Sequence, residues 1–293
     1  MVEPLRLRPA FSHGRDGAER IRLLRQKIAR VSVDGLAATS YPAADAPARV
    51  PLGAAKLDTR LAGGLATGTL HEITAAPGDA PAAAGFTLAL GARLRSVRPT
   101  APLVWISDDF ASLEQGGLYG PGLALYGIDP AALVLIRAAQ AKDALWALEE
   151  ALKCRAPAAV VGEIFSLKLY DLTASRRLLL AATAHGTTGL LCLAGPVRAD
   201  ELSSSATTRF EVRARQSRQR DSAGLRTPLP GPAAFDVRLA KARAGPAALM
   251  LDRDAFHPIV WNPHEVCFSD ALSLPLAAIA GDGPDRPPQR RHA

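Results

Sequence analysis

Lys56-Leu-Asp-Thr-Arg-Leu-Ala-Gly-Gly-Leu-Ala-Thr-Gly-Thr-Leu-His-Glu-Ile73 is the stretch that decides how this chain folds. Three glycines, Gly63, Gly64 and Gly68, precede the short apolar run 70–73. Glycine adopts backbone conformations with positive φ at little cost, so these positions predict turns where the chain enters a sheet. The run that follows them predicts the first core strand.

From Pro51 to about Gly195, short apolar runs alternate with longer helical patterns, which predicts βαβ units and a mostly parallel sheet. Apart from His71 and Glu72 in the first of them, the strand runs have no polar interruption, which is typical of strands covered on both faces. The fold class expected from this pattern is α/β. The predicted strands are 70–73, 103–106, 133–136, 158–161 and 189–193, and the predicted helices are 87–95, 142–153 and 172–185.

The pattern changes after residue 208. Residues 209–215 and 235–243 alternate apolar with charged side chains, as half-exposed antiparallel strands do, and 247–251 could be a third such strand. The stretch 217–232 between the first two predicts a polar loop. The predicted organisation is an N-terminal basic helix (1–32), a linker (33–50), a core (51–253), a C-terminal extension (254–280) and a disordered Pro/Arg-rich tail (281–293).

Composition excludes several classes of protein. The chain has 293 residues, of which 48% are hydrophobic and 22% charged, so a substantial core is expected and global disorder is not. No run reaches the ~18 uncharged apolar residues of a membrane helix, and the opening residues lack the apolar run of a secretory signal. Cys154, Cys192 and Cys267 are widely spaced and lack metal-ligand spacing. We therefore expect reduced thiols, a cytoplasmic protein, and neither a metal nor a cofactor.

The net charge of +7 is concentrated in two segments. Residues 1–31 carry eight basic against three acidic side chains, and residues 203–220 carry five arginines against Glu211. Such clusters can bind phosphates or an acidic protein, or form a solvated face, and the sequence leaves these alternatives open. Arg209, Arg213 and Arg215 are the candidate phosphate contacts. Only Phe210 interleaves them, so stacking on nucleic-acid bases is not indicated.

Residues 19–31 predict the clearest helix of the chain. Ile21, Leu24, Ile28 and Val31 recur at spacings of three and four among basic residues. A helix this short is marginal alone, so the apolar stripe must dock on its own domain or on a neighbouring subunit.

Two runs resemble the ATPase core of RecA-type proteins. The first is the opening stretch 56–73, and the second is Asp171-Leu-Thr-Ala-Ser-Arg-Arg-Leu178 with the strand that follows it. The resemblance covers roughly residues 51–253 and implies a RecA-like, P-loop-type core.

The phosphate loop departs from this family. A working loop needs Gly-x-x-x-x-Gly-Lys-Ser/Thr, in which backbone amides and the lysine hold phosphates and the hydroxyl holds Mg²⁺. In one alignment Gly85 stands at the lysine and Phe86 at the hydroxyl; in the other Phe86 replaces the lysine before Thr87, and Gly78 lies too far upstream. Asp79 adds a negative charge. The sequence therefore predicts a degenerate nucleotide site without ATP hydrolysis.

Other positions of the nucleotide site are altered too. Asp109 matches the family's catalytic glutamate, and Glu163 falls one residue after the position of the metal-binding aspartate. Both could equally be polar strand ends at the rim of the sheet. Lys241 and Arg243 resemble the paired basic residues that RecA protomers insert into a neighbour's ATP site, but outward residues of an exposed strand are the favoured interpretation.

Gly85-Phe-Thr-Leu-Ala-Leu90 and Val237-Arg-Leu-Ala-Lys-Ala-Arg243, with the basic N-terminal helix, are similar to the bacterial inducible mutagenesis protein A (ImuA) family. This resemblance implies a non-catalytic accessory role in DNA-damage-induced (SOS) translesion synthesis. The implied partners are an inactive Y-family polymerase relative, an error-prone replicative-type polymerase and RecA, with the stripe Ile21, Leu24, Ile28 and Val31 as the contact surface and DNA as a further possibility through the basic clusters.

Three other functions stay in view: a SulA-like inhibitor of cell division, an active RecA/RadA-type DNA-dependent ATPase, and a simple DNA-binding module. The ATPase needs a phosphate-binding lysine, and the sequence has none between Lys56 and Lys142.

Overall fold

The computed structural model describes residues 47–76, 78–193, 195, 202–220, 226–243 and 255–271. Apart from Pro47, these belong to one compact unit, residues 48–293. The predicted N-terminal helix, the strand expected at 247–251 and the predicted C-terminal tail lie outside the described residues.

A large sheet organises the described part of the chain. Nine strands there form it, in the order β13 (Cys267–Asp270), β12 (His257–Asn262), β11 (Ala234–Ala242), β8 (Thr208–Ala214), β3 (Leu70–Ala75), β7 (Gly189–Leu193), β6 (Ala159–Ile164), β4 (Leu103–Asp108) and β5 (Leu133–Ala138). The strands from β8 to β5 are parallel, and β11, β12 and β13 are added antiparallel. The predicted α/β fold class, a mostly parallel sheet with antiparallel strands towards the C-terminus, is confirmed. The remaining described strands are β1 (Arg49–Val50), β2 (Leu65–Ala66), β9 (Arg218–Arg220) and β10 (Arg226–Pro230).

Helices cover both faces of the parallel part. The helices are α1 (Ala55–Arg60), α2 (Ala80–Ser96), α3 (Asp109–Gln115), α4 (Gly120–Ala124), α5 (Ala141–Leu152) and α6 (Leu172–His185), with 3₁₀ turns at Pro130–Ala132 and Leu167–Leu169. On one face α2 shares a core with Trp105 and Phe210; on the other, Leu148 of α5 and Leu178 of α6 pack over Val160. Because the central strands are buried on both faces, their sequences are mostly apolar.

β5 departs from that expectation because it is the edge strand. Val134 and Leu135 are 46% and 48% exposed, so this apolar run is not covered on both faces. An apolar run alone does not distinguish a central strand from an edge strand, since the difference lies in the strand order.

The predicted glycine turns at the start of the sheet are confirmed. Gly63, Gly64 and Gly68 have φ of 104°, 133° and 65°. At Gly64 a Cβ would lie 2.4 Å from the carbonyl oxygen of Val50, because β1 pairs with β2 at this point. β1 occupies the last two residues of the predicted linker, so this end of the linker pairs with β2.

His71 joins three strands in the interior. Its Nε2 donates to the carbonyl of Ala66 in β2 (2.8 Å), and its Nδ1 accepts from the hydroxyl of Thr208 in β8 (2.6 Å). This pairing requires the neutral ring. Burial, above all, lowers the pKa of His71 to about 4.

Three predicted boundaries were wrong. α2 begins at Ala80, not Thr87, because its Ala-rich start with Pro81 in the first turn favours helix. β9 and β10 form an antiparallel ribbon within the predicted loop 217–232, whose polar residues give no alternation to detect. The predicted C-terminal extension contributes β12 and β13 to the sheet, because Trp261 and Phe268 are buried in the main core.

Among the described residues, no helix has the length and apolarity that crossing a membrane requires.

Candidate functional site

The connection between β3 and α2 is where a phosphate loop would stand. Only residues 76–79 separate the strand from the helix. Gly78 lies here with φ of 92°, and Asp79 directly precedes α2. The Asp79 carboxylate accepts a hydrogen bond from the backbone N–H of Ala214 in β8 (3.0 Å). The connection therefore ends with a carboxylate at the N-terminus of α2, where a phosphate-binding protein directs its amides and its lysine.

Gly85, Phe86 and Thr87 lie within α2, not in a loop. A Cβ at Gly85 would lie 2.4 Å from the hydroxyl of Tyr126. Phe86 is fully buried, with its ring centroid 5.5 Å from that of Phe210. The Thr87 hydroxyl donates to the carbonyl of Ala83 (2.7 Å), one turn back in the helix. Gly85 and Phe86, which one alignment sets at the positions of the lysine and the hydroxyl, therefore serve the packing of α2.

Glu163 lies near the carboxyl end of β6 beside β4. Its side chain accepts a hydrogen bond from Nε1 of Trp105 (3.1 Å), and the residue is 6% exposed. Burial raises the pKa of Glu163, and the charge of Asp108 raises it further, while the bond from Trp105 opposes the shift. Beside it, burial raises the pKa of the Cys192 thiol well above its ordinary value.

Asp108 and Asp109 divide two roles at the end of β4. Asp108 is buried, and its Oδ1 accepts from the backbone N–H of Ala111 (2.7 Å) as the N-cap of α3. Its Oδ2 is buried without a hydrogen-bond partner among the described residues. Asp109, the residue singled out from the sequence, is exposed and lies 3.7 Å from Arg137. The exposed Asp109 and the buried Glu163 thus differ in environment, although their strands are adjacent.

A second cluster of charged residues surrounds Glu72 in the middle of β3. Glu72 is fully buried; Nε of Arg209 donates to its Oε2 (2.7 Å), and the Tyr170 hydroxyl donates to its Oε1. The Arg209 guanidinium also donates to the hydroxyl of Ser204 (2.9 Å). Arg209, predicted as a phosphate contact, is 4% exposed and ion-paired with Glu72.

Lys241 and Arg243 converge on the same serine. The Lys241 ammonium donates to the Ser204 carbonyl (2.7 Å), and the Arg243 guanidinium lies 3.5 Å from the same oxygen. Lys241 is half-buried and Arg243 exposed. Lys241 and Arg243 thus differ in exposure, and the Lys241 ammonium is held by the chain itself.

The remaining basic candidates are paired with acids. Arg213 is half-exposed, lies 3.6 Å from Glu211 and stacks 3.9 Å over the ring of Phe256, and Arg215 bonds to Asp236 (2.8 Å). The stripe Ile21, Leu24, Ile28 and Val31 lies outside the described residues. Among those described, no group of three or more His, Cys, Asp or Glu side chains is placed to hold a metal ion.

Two curated proteins match this chain, both named Protein ImuA and both from Caulobacter vibrioides, strains NA1000/CB15N and ATCC 19089/CIP 103742/CB 15. Each is 35% identical over 134 residues, which are 44% of this chain and 50% of the relative. The resemblance to the ImuA family is confirmed. The chain spans about half the length of the ImuA relatives it matches.

A solved structure, the crystal structure of the RadB recombinase, has a TM-score of 0.49 at 14% identity, covering 76% of this chain and 99% of that one. No family model matches the chain.

Sequence analysis missed three residues of the cluster around Glu72, namely Glu72, Tyr170 and Ser204. It also missed Asp108 at the end of β4. Glu72 follows His71 in a short strand, Tyr170 lies between Leu169 and Asp171, and Ser204 lies in a serine run, so none of the three has a distinguishing pattern. Asp108 and Asp109 form an Asp-Asp pair in the sequence, and only the exposed Asp109 was predicted as a site residue. A carboxylate within a predicted strand, as at Glu72, is the one signal that a buried ion pair offers to sequence analysis.

Proposed function

We propose that this chain is a non-catalytic, RecA-like accessory protein of a DNA-damage-induced mutagenesis system. It acts by binding other proteins, namely an inactive Y-family polymerase relative, an error-prone replicative-type polymerase or RecA. The resemblance to Protein ImuA supports the role in mutagenesis. The structure of the connection between β3 and α2 supports the absence of catalysis.

The observation that carries the proposal is the structure between β3 and α2. Phosphoryl transfer requires a loop of amides and a lysine around the phosphates, because catalysis there is almost entirely positioning and charge stabilisation. Here the helix begins at Ala80, Phe86 is core, and Asp79 supplies a negative charge next to the N-terminus of α2. The Glu163 carboxyl is buried against Nε1 of Trp105, and burial raises its pKa, which disfavours the charged form that Mg²⁺ needs as a ligand.

The proposed contact surface is the predicted stripe Ile21, Leu24, Ile28 and Val31. An amphipathic helix with an apolar stripe among basic residues is suited to lie in an apolar groove of a partner with an acidic rim. A small number of buried anchor residues dominates such interfaces, so a charge placed at the centre of the stripe should abolish binding.

An affinity capture of the tagged full chain from cells treated with a DNA-damaging agent tests this function. Wild type should recover polymerase-like proteins or RecA, and Leu24→Asp should lose them with an unchanged thermal melt. Gln26→Asp is the matched control, because it adds the same charge outside the stripe and should retain the partners.

Three outcomes would contradict the proposal. Recovery of a tubulin-like division protein would favour the SulA-like alternative. Loss of the partners with Gln26→Asp to the same extent would remove the stripe as the contact. A fall of many degrees in the melting temperature of Leu24→Asp would place the stripe in the protein's own core.

A further inference from the structure

The outer part of the sheet carries a charged face. On β8 and β11, Phe210, Val212 and Val237 point into the core that α2 covers. Side chains alternate along a strand, so Arg209, Glu211 and Arg213 lie on the opposite face. Within this face Glu211 is directly opposite Arg238 and Arg213 directly opposite Asp236.

A bulge in β11 adds a lysine to this face. Leu239 is opposite Phe210, but Lys241 is opposite Arg209, so Ala240 is the extra residue. Without it, Lys241 would follow Leu239 onto the core face by the two-residue period. Bulges re-aim side chains at functional sites, and this one places two cations directly opposite each other. Like charges in this position repel each other, and the charge of the buried Glu72 opposes that repulsion.

Among the described residues, the cations on this face outnumber the acids that face them. We call the cationic strip the set Arg209, Arg213, Arg215, Arg238, Lys241 and Arg243. Its carboxylate partners within the described residues are Glu72, which holds Arg209, Glu211, which holds Arg238 and Arg213, and Asp236, which holds Arg215. Lys241 and Arg243 instead share the neutral carbonyl of Ser204.

The excess is greatest at the inner end of the strip. Burial, above all, together with the charges of Arg209 and Arg243 lowers the pKa of Lys241 to about 8, against the opposing effect of Glu72. An anion bound beside Lys241 and Arg243 would relieve this repulsion. The exposed guanidinium of Arg243 offers planar donors suited to phosphate.

The strip is elongated, which favours a linear polyanion over a small one. From Arg209 to Arg215 the chain advances about 20 Å at ~3.4 Å per residue. A nucleic-acid strand presents a phosphate about every 3.4 Å of helix axis, so several fall within that length. The sequence continues with Arg218 and Arg220 in β9 and Arg226 directly opposite Arg220 in β10.

We propose that the cationic strip binds the phosphate backbone of single-stranded DNA, with Lys241 and Arg243 as its inner contacts. Arg209 is a positioning residue: it holds Ser204 in place and is itself fixed by Glu72. Binding is independent of base sequence, because the strip's contacts are to phosphates. Phe256, the aromatic ring packed against Arg213, is already covered by that guanidinium and is not free to stack on a base.

Fluorescence anisotropy with a labelled 30-nucleotide single strand, over a series of salt concentrations, tests the proposal. Two phosphate contacts account for roughly 1.4 of the slope of log K against log salt, at ~0.7 each. Lys241→Gln/Arg243→Gln should lose about that slope and bind more weakly. Lys142→Gln/Arg155→Gln removes the same charge from two exposed residues elsewhere and should leave the slope unchanged.

A second variant, Arg213→Gln/Arg243→Gln, leaves the Lys241 bond intact and should show the same loss even if the first variant is destabilised. Equal losses in the control, or a wild-type slope near zero, would overturn the proposal. So would competition by polyglutamate, at equal charge, as strong as that by unlabelled DNA, which would indicate an acidic protein ligand. The assay uses the purified chain alone, so its failure would leave the proposed accessory function standing.

Discussion

Replacing Phe86 with lysine gives the sequence Gly-Lys-Thr at positions 85–87, which is the end of a phosphate-loop motif. If this segment were a phosphate loop that lacked only its lysine, the substitution would restore nucleotide binding. The structure predicts loss of stability instead. Phe86 is fully buried and packs in edge contacts with Phe210 and Phe235, at centroid distances of 5.5 Å and 5.8 Å.

The expected loss follows from that packing. Truncating a buried phenylalanine costs about 3–5 kcal/mol, and burying an unpaired ammonium adds several kcal/mol more. The first contribution alone lowers the melting temperature by about 6–20 °C, at roughly 2–4 °C per kcal/mol for a domain of this size. The sum approaches the ~5–15 kcal/mol of a whole domain, so Phe86→Lys should be largely unfolded.

Urea unfolding followed by circular dichroism, with Mg–ATP binding by equilibrium dialysis, measures both effects. Phe86→Leu keeps an apolar side chain and should cost under about 1.5 kcal/mol if the site repacks. A Phe86→Lys protein that melts within a few degrees of wild type and binds ATP would refute the reasoning, because the lysine would then have to reach a phosphate and not the core.

Further predictions concern the sheet. Gly64→Ala should cost more free energy of unfolding in urea than Gly63→Ala, since both have positive φ but only Gly64 has a backbone oxygen 2.4 Å from the added Cβ; equal costs would contradict the clash. Glu72→Gln leaves the Arg209 charge buried and should cost about 3–5 kcal/mol, of which Glu72→Gln/Arg209→Met regains a part; no regain would argue against the ion pair. With a pKa of about 4 in the folded state, below that of the unfolded chain, His71 contributes stability that is present above about pH 6.5 and lost as the pH falls towards 4. Stability measured by urea at pH 7.5 and pH 5 should therefore fall more steeply in wild type than in His71→Gln, and parallel curves would contradict this.

The central strands could be predicted from the sequence because burial on both faces leaves a direct trace. The runs beginning at Leu103 and Gly189 contain little besides apolar residues, and both are strands in the structure. The glycines before β3 were equally informative, since a positive φ restricts the choice of residue.

The organisation of the charged clusters could not be predicted, because it depends on register. The alternation in 235–243 places Lys241 on the wrong face unless the bulge at Ala240 is known. Arg209 and Arg213 both occupy charged positions of the alternating stretch 209–215. Arg209 is nevertheless buried against Glu72, whereas Arg213 is half-exposed beside Phe256. The start of α2 was placed too late because the resemblance to a phosphate loop outweighed the helix propensity of the alanines.

Titration of Mg–ATP into the purified full chain by calorimetry tests the central claim most directly, because every alternative that includes ATPase activity needs a nucleotide site. We predict no saturable binding at concentrations up to about 1 mM, equivalent to an affinity weaker than roughly −4 kcal/mol. One site with a dissociation constant near 1 μM, about −8 kcal/mol, would contradict the account and return the chain to the class of nucleotide-dependent RecA-like proteins.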